Sequence, residues 1–236
     1  MKEFNNKITN LSNNSILSYR FFQPVYIFLV VNLFLISGCS NINKNEDINI
    51  CSTTKLPCID SNEYVLFITN KGNIKLELYG KLAPITVGNF IDFIEKGSYN
   101  KTIFNRVIKK PYPFIIRGGD NTLIGHQNKF IDTKIKEKRY IPLEIKLKTS
   151  NLPIYGKEID EPSQINNIEL KHKRSYLSMA RSKAVNSASL QFYILLKSLP
   201  ELDGRYAVFG KVISGMNIVD LIQEEDFIIE AKRVDS

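Results

Sequence analysis

The sequence predicts a mostly-β domain, a closed antiparallel β-barrel with helices covering its ends. Three observations lead there. Short β-favouring runs of four to eight residues recur from residue 64 onward, separated by turn residues. Only two helical patterns stand out clearly, and they lie far apart in the chain. Long helical stretches between strands, which a parallel α/β sheet requires, are missing.

The elements follow in order. Residues 64–69 are apolar and β-favouring, and Lys71-Gly72-Asn73 is turn chemistry. Ile74, Leu76 and Leu78 then alternate with Lys75, Glu77 and Tyr79 at period two, which completes a hairpin. A helix opens near Pro84, a residue suited to a first turn, and Val87, Phe90, Ile91 and Ile94 fall on one face. Gly97 is placed to stop it. Residues 102–108, 114–117, 176–180, 191–196, 206–213 and 227–233 read as further strands, and a second helix fits 216–223. Residues 121–175 are the least regular stretch, with one helix candidate near Pro162; they read as a partner surface or a lineage-specific loop.

The chain has 236 residues, with Lys+Arg 32 against Asp+Glu 24, a net charge of +8. Basic runs at Lys134, Lys136, Lys138 and Arg139, and at Lys171, His172, Lys173 and Arg174, read as solvated surface. No aromatic ladder or helix-turn-helix pattern accompanies them, so no nucleic-acid partner is expected. Two His and three Cys exclude a disulfide-dense scaffold and leave little for a metal site; no metal and no cofactor are expected.

The N-terminus reads as an address. Basic residues Lys2, Lys7 and Arg20 precede an apolar run from Phe21 to Ile36 that ends in Ser37-Gly38-Cys39. This resembles the bacterial lipobox, which implies cleavage after residue 38 and a lipid on Cys39. An uncleaved membrane anchor is the alternative, although a run of 16 residues is shorter than the roughly 20 needed to span. On either reading the domain is held at a membrane and lies outside the cytoplasm. The expected organisation is a signal over 1–38, a polar tether over 39–62 and a folded domain over 63–236. Cys51 and Cys58 lie in that tether, and an oxidising compartment would permit a disulfide there, read as a small structural loop-closing bridge rather than a redox pair.

Three clusters hold the candidate chemistry. The first runs Phe104-Asn105-Arg106-Val107-Ile108, then Phe114-Ile115-Ile116-Arg117-Gly118-Gly119-Asp120. The second is Leu177-Ser178-Met179-Ala180-Arg181, then Asn186-Ser187-Ala188-Ser189-Leu190-Gln191-Phe192-Tyr193, and the third Leu202-Asp203-Gly204-Arg205-Tyr206-Ala207-Val208-Phe209-Gly210. An Arg on a strand among apolar residues needs a partner or a task. Asp120 and Asp203 read as turn-formers, and His172 as a solvated turn residue.

In order and spacing these clusters resemble those of the cyclophilin-type peptidyl-prolyl cis-trans isomerases, over about residues 64–234. The resemblance implies an eight-stranded β-barrel capped by two helices, a monomer acting on proline-containing polypeptides, and isomerisation without nucleophile or metal. It places Arg106 where the family's essential Arg stands. It also implies that Phe114, Ile115, Tyr193 and Leu202 form a proline pocket, with Ile115 replacing a frequent Met and Tyr193 the usual Phe. Ala180, Arg181 and Gln191 match positions lining the groove for the preceding residues.

The chain departs from the pattern in four places. Arg117 stands where a substrate-holding Gln is usual, and Tyr206 replaces a common His. Asn105 replaces a His beside Arg106, and the loop from Lys109 to Pro113 has five residues where two are usual. The expected function is therefore a prolyl isomerase for exported proteins. The alternative is a catalytically weak cyclophilin-like module that binds Pro-containing segments.

Overall fold

The computed structural model describes residues 50–120 and 139–236. The signal-like segment and Cys39 lie outside the described residues, as does part of the irregular stretch.

In chain order the elements are α1 (Ile50–Thr53), β1 (Asn62–Thr69), β2 (Gly72–Tyr79), α2 (Pro84–Glu95), β3 (Arg106–Val107), β4 (Ile115–Gly118), β5 (Glu144–Ile145), β6 (Ile154–Tyr155), α3 (Pro162–Asn166), β7 (Tyr176–Met179), β8 (Phe192–Leu195), β9 (Val208–Ser214), α4 (Met216–Leu221) and β10 (Ile228–Val234). Eight strands form one antiparallel sheet in the order β10-β1-β2-β9-β7-β8-β4-β3. The expected hairpin is β1–β2, its register closing at Thr69 and Gly72.

The sheet curls around a core in which Phe67, Phe90, Tyr99, Phe192 and Phe209 are fully buried. Phe90 lies 4.7 Å from Tyr99 and 5.0 Å from Phe209 between ring centroids. α2 delivers Val87, Phe90, Ile91 and Ile94 into that core, as their spacing predicts.

The expected closed barrel is corrected to an open one. No ladder pairs β10 with β3. Residues 102–108 read as one strand, yet only Arg106–Val107 joins a ladder, because the donors before it divide between two neighbours. Phe104 N–H reaches Asp226 O at 2.7 Å, whereas Ile103 and Asn105 N–H turn to Asp120 O and Arg117 O. A single bridge, Ile103 to Phe227, and a few backbone hydrogen bonds stitch the seam.

The Asp226 side chain, at the same seam, accepts from Asn70 Nδ2 and from Gln223 N–H, each at 2.7 Å, with Lys71 Nζ 3.4 Å away. Burial alone would raise its pKa, but these donors outweigh it and hold the carboxyl below its ordinary value. We expect Asp226→Ala to cost about 1–2 kcal/mol in urea unfolding at neutral pH. A depressed folded pKa stabilises above the ordinary carboxylate range and loses that contribution as pH falls through the folded value. The gap between wild type and variant should therefore be constant above about pH 5 and shrink below about pH 4. An equal gap at both ends would exclude this role.

Two stretches are more ordered than their sequence suggests. Within 139–175, β5 and β6 pair as a ribbon, and Leu143, Ile145, Leu147, Ile159 and Ile168 form a second small core. Glu144, buried there, caps α2 by accepting from Ile85 and Thr86 N–H at 3.2 and 2.8 Å. Residues 50–61, inside the expected tether, lie against the domain. Cys51 and Cys58 are disulfide-bonded, Leu56 and Ile59 pack on the core, and Ile59 N–H bonds Pro84 O at 3.0 Å. Gly88 permits that approach, since a Cβ there would sit 2.4 Å from Cys58 N.

The basic runs also need correction. Arg139 is buried, donating to Asn89 Oδ1 at 2.8 Å and Asp92 Oδ2 at 2.6 Å, with its guanidinium over the Phe93 ring.

Candidate active site

Strand alternation builds the site. Ile116, Leu177, Phe192 and Ile194 point inward and are buried in the main core. Their strand neighbours Ile115, Arg117 and Tyr193 therefore point outward. Cross-strand register then sets Arg106 opposite Arg117, Arg117 opposite Tyr193, and Tyr193 opposite Ser178. Directly opposed residues share a face, so β3, β4, β8 and β7 present these four side chains as a row on the outer surface of the sheet.

Beside the row lies an apolar cluster separate from the interior. Ile115, Tyr193, Leu195 and Leu199 are its buried members, and Phe114, Ala180, Leu202 and Tyr206 pack against them. All the expected proline-pocket residues are thus brought together, across 88 positions of sequence from Phe114 to Leu202. Tyr206 meets Tyr193 edge to face at 5.9 Å.

Arg106 is exposed, and no hydrogen bond or ion pair holds its guanidinium among the described residues. Arg181 is the opposite case. Its side chain is 7% exposed, pairs with Glu158, and donates to Arg205 O at 2.9 Å and Ser182 O at 3.1 Å. Its guanidinium also covers the Tyr206 ring at 4.9 Å. It is a strut of the groove wall, with little donor capacity left for a substrate.

Arg117 Nε donates to Asn105 Oδ1 at 3.1 Å. Asn105 Nδ2 in turn bonds Asp120 Oδ2, which also accepts from Gln191 Nε2 at 3.2 Å. Asp120 is therefore more than a turn residue, since it ties the side chains of Asn105 and Gln191. Gly119 before it has φ +83°, and a Cβ would lie 3.0 Å from Leu190 O. Only glycine suits both demands. A cleft of about 340 Å³ adjoins the row, lined by Arg117, Tyr140, Ala180, Ser187, Ser189 and Gln191 among others.

Two residues escaped the sequence reading. His172 is 2% exposed, not solvated, and Asp203 is 6% exposed, not merely a turn-former. Asp203 Oδ1 lies 2.8 Å from both His172 N and His172 Nδ1. With its Nδ1–H committed to Asp203, the imidazole presents Nε2 as an acceptor to Tyr193 Oη at 3.2 Å. Burial pushes the Tyr193 hydroxyl well above its ordinary pKa, so it stays a donor. Tyr193 is thus anchored to the buried His172–Asp203 pair. A His 31 residues from its Asp, inside a basic run, carries no local signal of this contact.

An open antiparallel half-barrel carrying an outward-facing Arg beside an apolar cluster is a recognisable class. The family model described as cyclophilin type peptidyl-prolyl cis-trans isomerase matches residues 64–234. The chain belongs to that family. It is 36% identical over 167 residues to a peptidyl-prolyl cis-trans isomerase of Acinetobacter baylyi, covering 69% of this chain and 72% of that one. It is 33% identical over 188 residues to a Synechocystis isomerase whose name places it in the thylakoid lumen, covering 75% of this chain and 48% of that one. The chain spans only 26% of an isomerase-like relative from Rhizopus delemar. The crystal structure of a Cryptosporidium parvum cyclophilin in the presence of the dipeptide Ala-Pro is similar at TM-score 0.54 and 30% identity, covering 74% of this chain and all of that one.

Proposed function

We propose that this chain is a peptidyl-prolyl cis-trans isomerase that assists the folding of exported proteins, anchored at a membrane through Cys39. The observation that carries the catalytic part is the outward Arg106 guanidinium, unpaired among the described residues, beside the Ile115–Tyr193 apolar cluster. An X-Pro amide crosses a barrier of ~18–20 kcal/mol. Twisting it breaks resonance and returns the lone pair to the prolyl nitrogen. Phe114, Ile115, Tyr193, Leu202 and Tyr206 hold the proline ring; Ala180, Arg181 and Gln191 wall the groove for the residues before it. Arg106 donates to the prolyl nitrogen only once it has pyramidalised, which lowers the barrier without covalent chemistry. The relative crystallised with Ala-Pro supports a proline-containing substrate.

The extracytoplasmic location is supported by the signal-like N-terminus, by the Cys51–Cys58 disulfide and by the thylakoid-lumen relative. Among the described residues no helix is long and apolar enough to cross a membrane.

The test is cis-to-trans isomerisation of an Ala-Pro peptide by the purified full-length chain in detergent. A rate above background supports the enzyme, and a folded protein with no rate excludes it. The second reading, a weak module that binds Pro-containing segments, is favoured by Arg117 lying opposite Arg106, where like charges repel. Arg117→Gln separates the two. A gain of tenfold or more in kcat/KM would show that Arg117 suppresses catalysis, and an unchanged rate would show that it is tolerated.

A further inference from the structure

The register that sets Arg106 opposite Arg117 places two cations on one face, with the neutral Asn105 side chain as the acceptor for Arg117. A guanidinium carries five N–H donors. Arg117 commits its Nε–H to Asn105, and among the described residues no hydrogen bond or ion pair takes the four donors of its terminal nitrogens. Arg181, the other guanidinium on the cleft wall, is already neutralised by Glu158. A second feature points the same way. Ser189, also among the cleft-lining residues, has its Oγ buried with no hydrogen-bond partner among the described residues. An unpaired buried hydroxyl is costly, and this one gains a partner if an acceptor enters the cleft within its reach. Tyr140, Ala180 and Leu190 supply an apolar wall that suits the methylenes of a side chain.

We propose that this cleft is an anion subsite that selects polypeptides with an acidic residue, glutamate or aspartate, shortly before the proline. The proposal rests on the adjoining apolar cluster being the proline site. The terminal nitrogens of Arg117 form a planar fork that grips a carboxylate with two parallel N–H···O bonds. The incoming carboxylate also offsets the charge of Arg117 where it faces Arg106, so the acidic substrate relieves a repulsion that a neutral one leaves in place. A basic residue at the same position meets the Arg117 guanidinium unshielded.

The test uses the full-length chain and acetylated, C-terminally amidated peptides that differ only in carrying Ala, Glu or Lys at either of the two positions before proline. Both kcat/KM for isomerisation and Kd by titration calorimetry are measured at low and high salt. We expect Glu to be preferred over Lys by about fivefold at low salt, with the preference shrinking as salt is added. Arg117→Gln should erase the Glu-over-Lys ratio whatever it does to the absolute rate. Equal values for the three peptides, or a preference that survives Arg117→Gln, would overturn the anion subsite. Isomerisation without discrimination leaves the isomerase reading standing and removes only this inference. Arg117-dependent preference in Kd without isomerisation does the reverse. Absence of both removes both.

Discussion

Replacing Arg106 by alanine is expected to lower kcat/KM for an Ala-Pro peptide by about 10²-fold, the scale of losing one donor aimed at transition-state charge. The fold should survive. Arg106 is exposed and holds no hydrogen bond or ion pair among the described residues, so its removal leaves no buried group unpaired. Circular dichroism and the urea midpoint should match wild type. The loss should appear in kcat more than in KM, because the prolyl nitrogen accepts only when the amide is twisted. Arg106→Lys keeps the charge but not the planar fork and should recover little. A variant as active as wild type would remove Arg106 from the mechanism and leave the apolar cluster as a binding surface alone.

The largest stability effect is expected at Asp203→Ala, at about 3 kcal/mol in urea unfolding. Asp203 Oδ1 is the acceptor for both His172 N–H and Nδ1–H, and the two side chains are 1% and 3% exposed. Alanine strands two donors where water does not reach. It also frees the imidazole to change tautomer, so Nε2 no longer presents a lone pair to Tyr193 Oη. Tyr193 then loses the contact that holds its ring in the apolar cluster, and KM should rise in whatever protein remains folded. Tyr193→Phe discards the hydroxyl while keeping the ring, so it should leave most of the stability that Asp203→Ala removes. A cost below about 1 kcal/mol for Asp203→Ala would mean that water or a rearranged turn replaces the carboxylate.

Much of this site is legible along the chain. Period-two alternation identifies β2, the Pro84 start identifies α2, and three ordered clusters contain most of the residues that the structure assembles around Arg106, though not Leu195 and Leu199. Where the reading falls short, the contact is distant in sequence. Arg139 looks like the end of a basic run, but Asn89 and Asp92 on α2 bury it. Residues 102–108 look like one strand, but the seam divides their hydrogen bonds between two neighbours. Residues 50–61 look like a tether, but Gly88 leaves a space on α2 that they fill.

What the sequence determined by itself is therefore the local grammar: which runs extend and where the first long helix begins. Alternation and turn chemistry are short-range properties of the backbone, and they are written into neighbouring residues. Only the tertiary structure decided how charge is disposed. It set Arg106 and Arg117 opposite one another, neutralised Arg181 with Glu158, and buried His172 between Asp203 and Tyr193. A side chain's electrostatic environment depends on partners supplied by sheet register and burial, and neither quantity exists until the strands have paired.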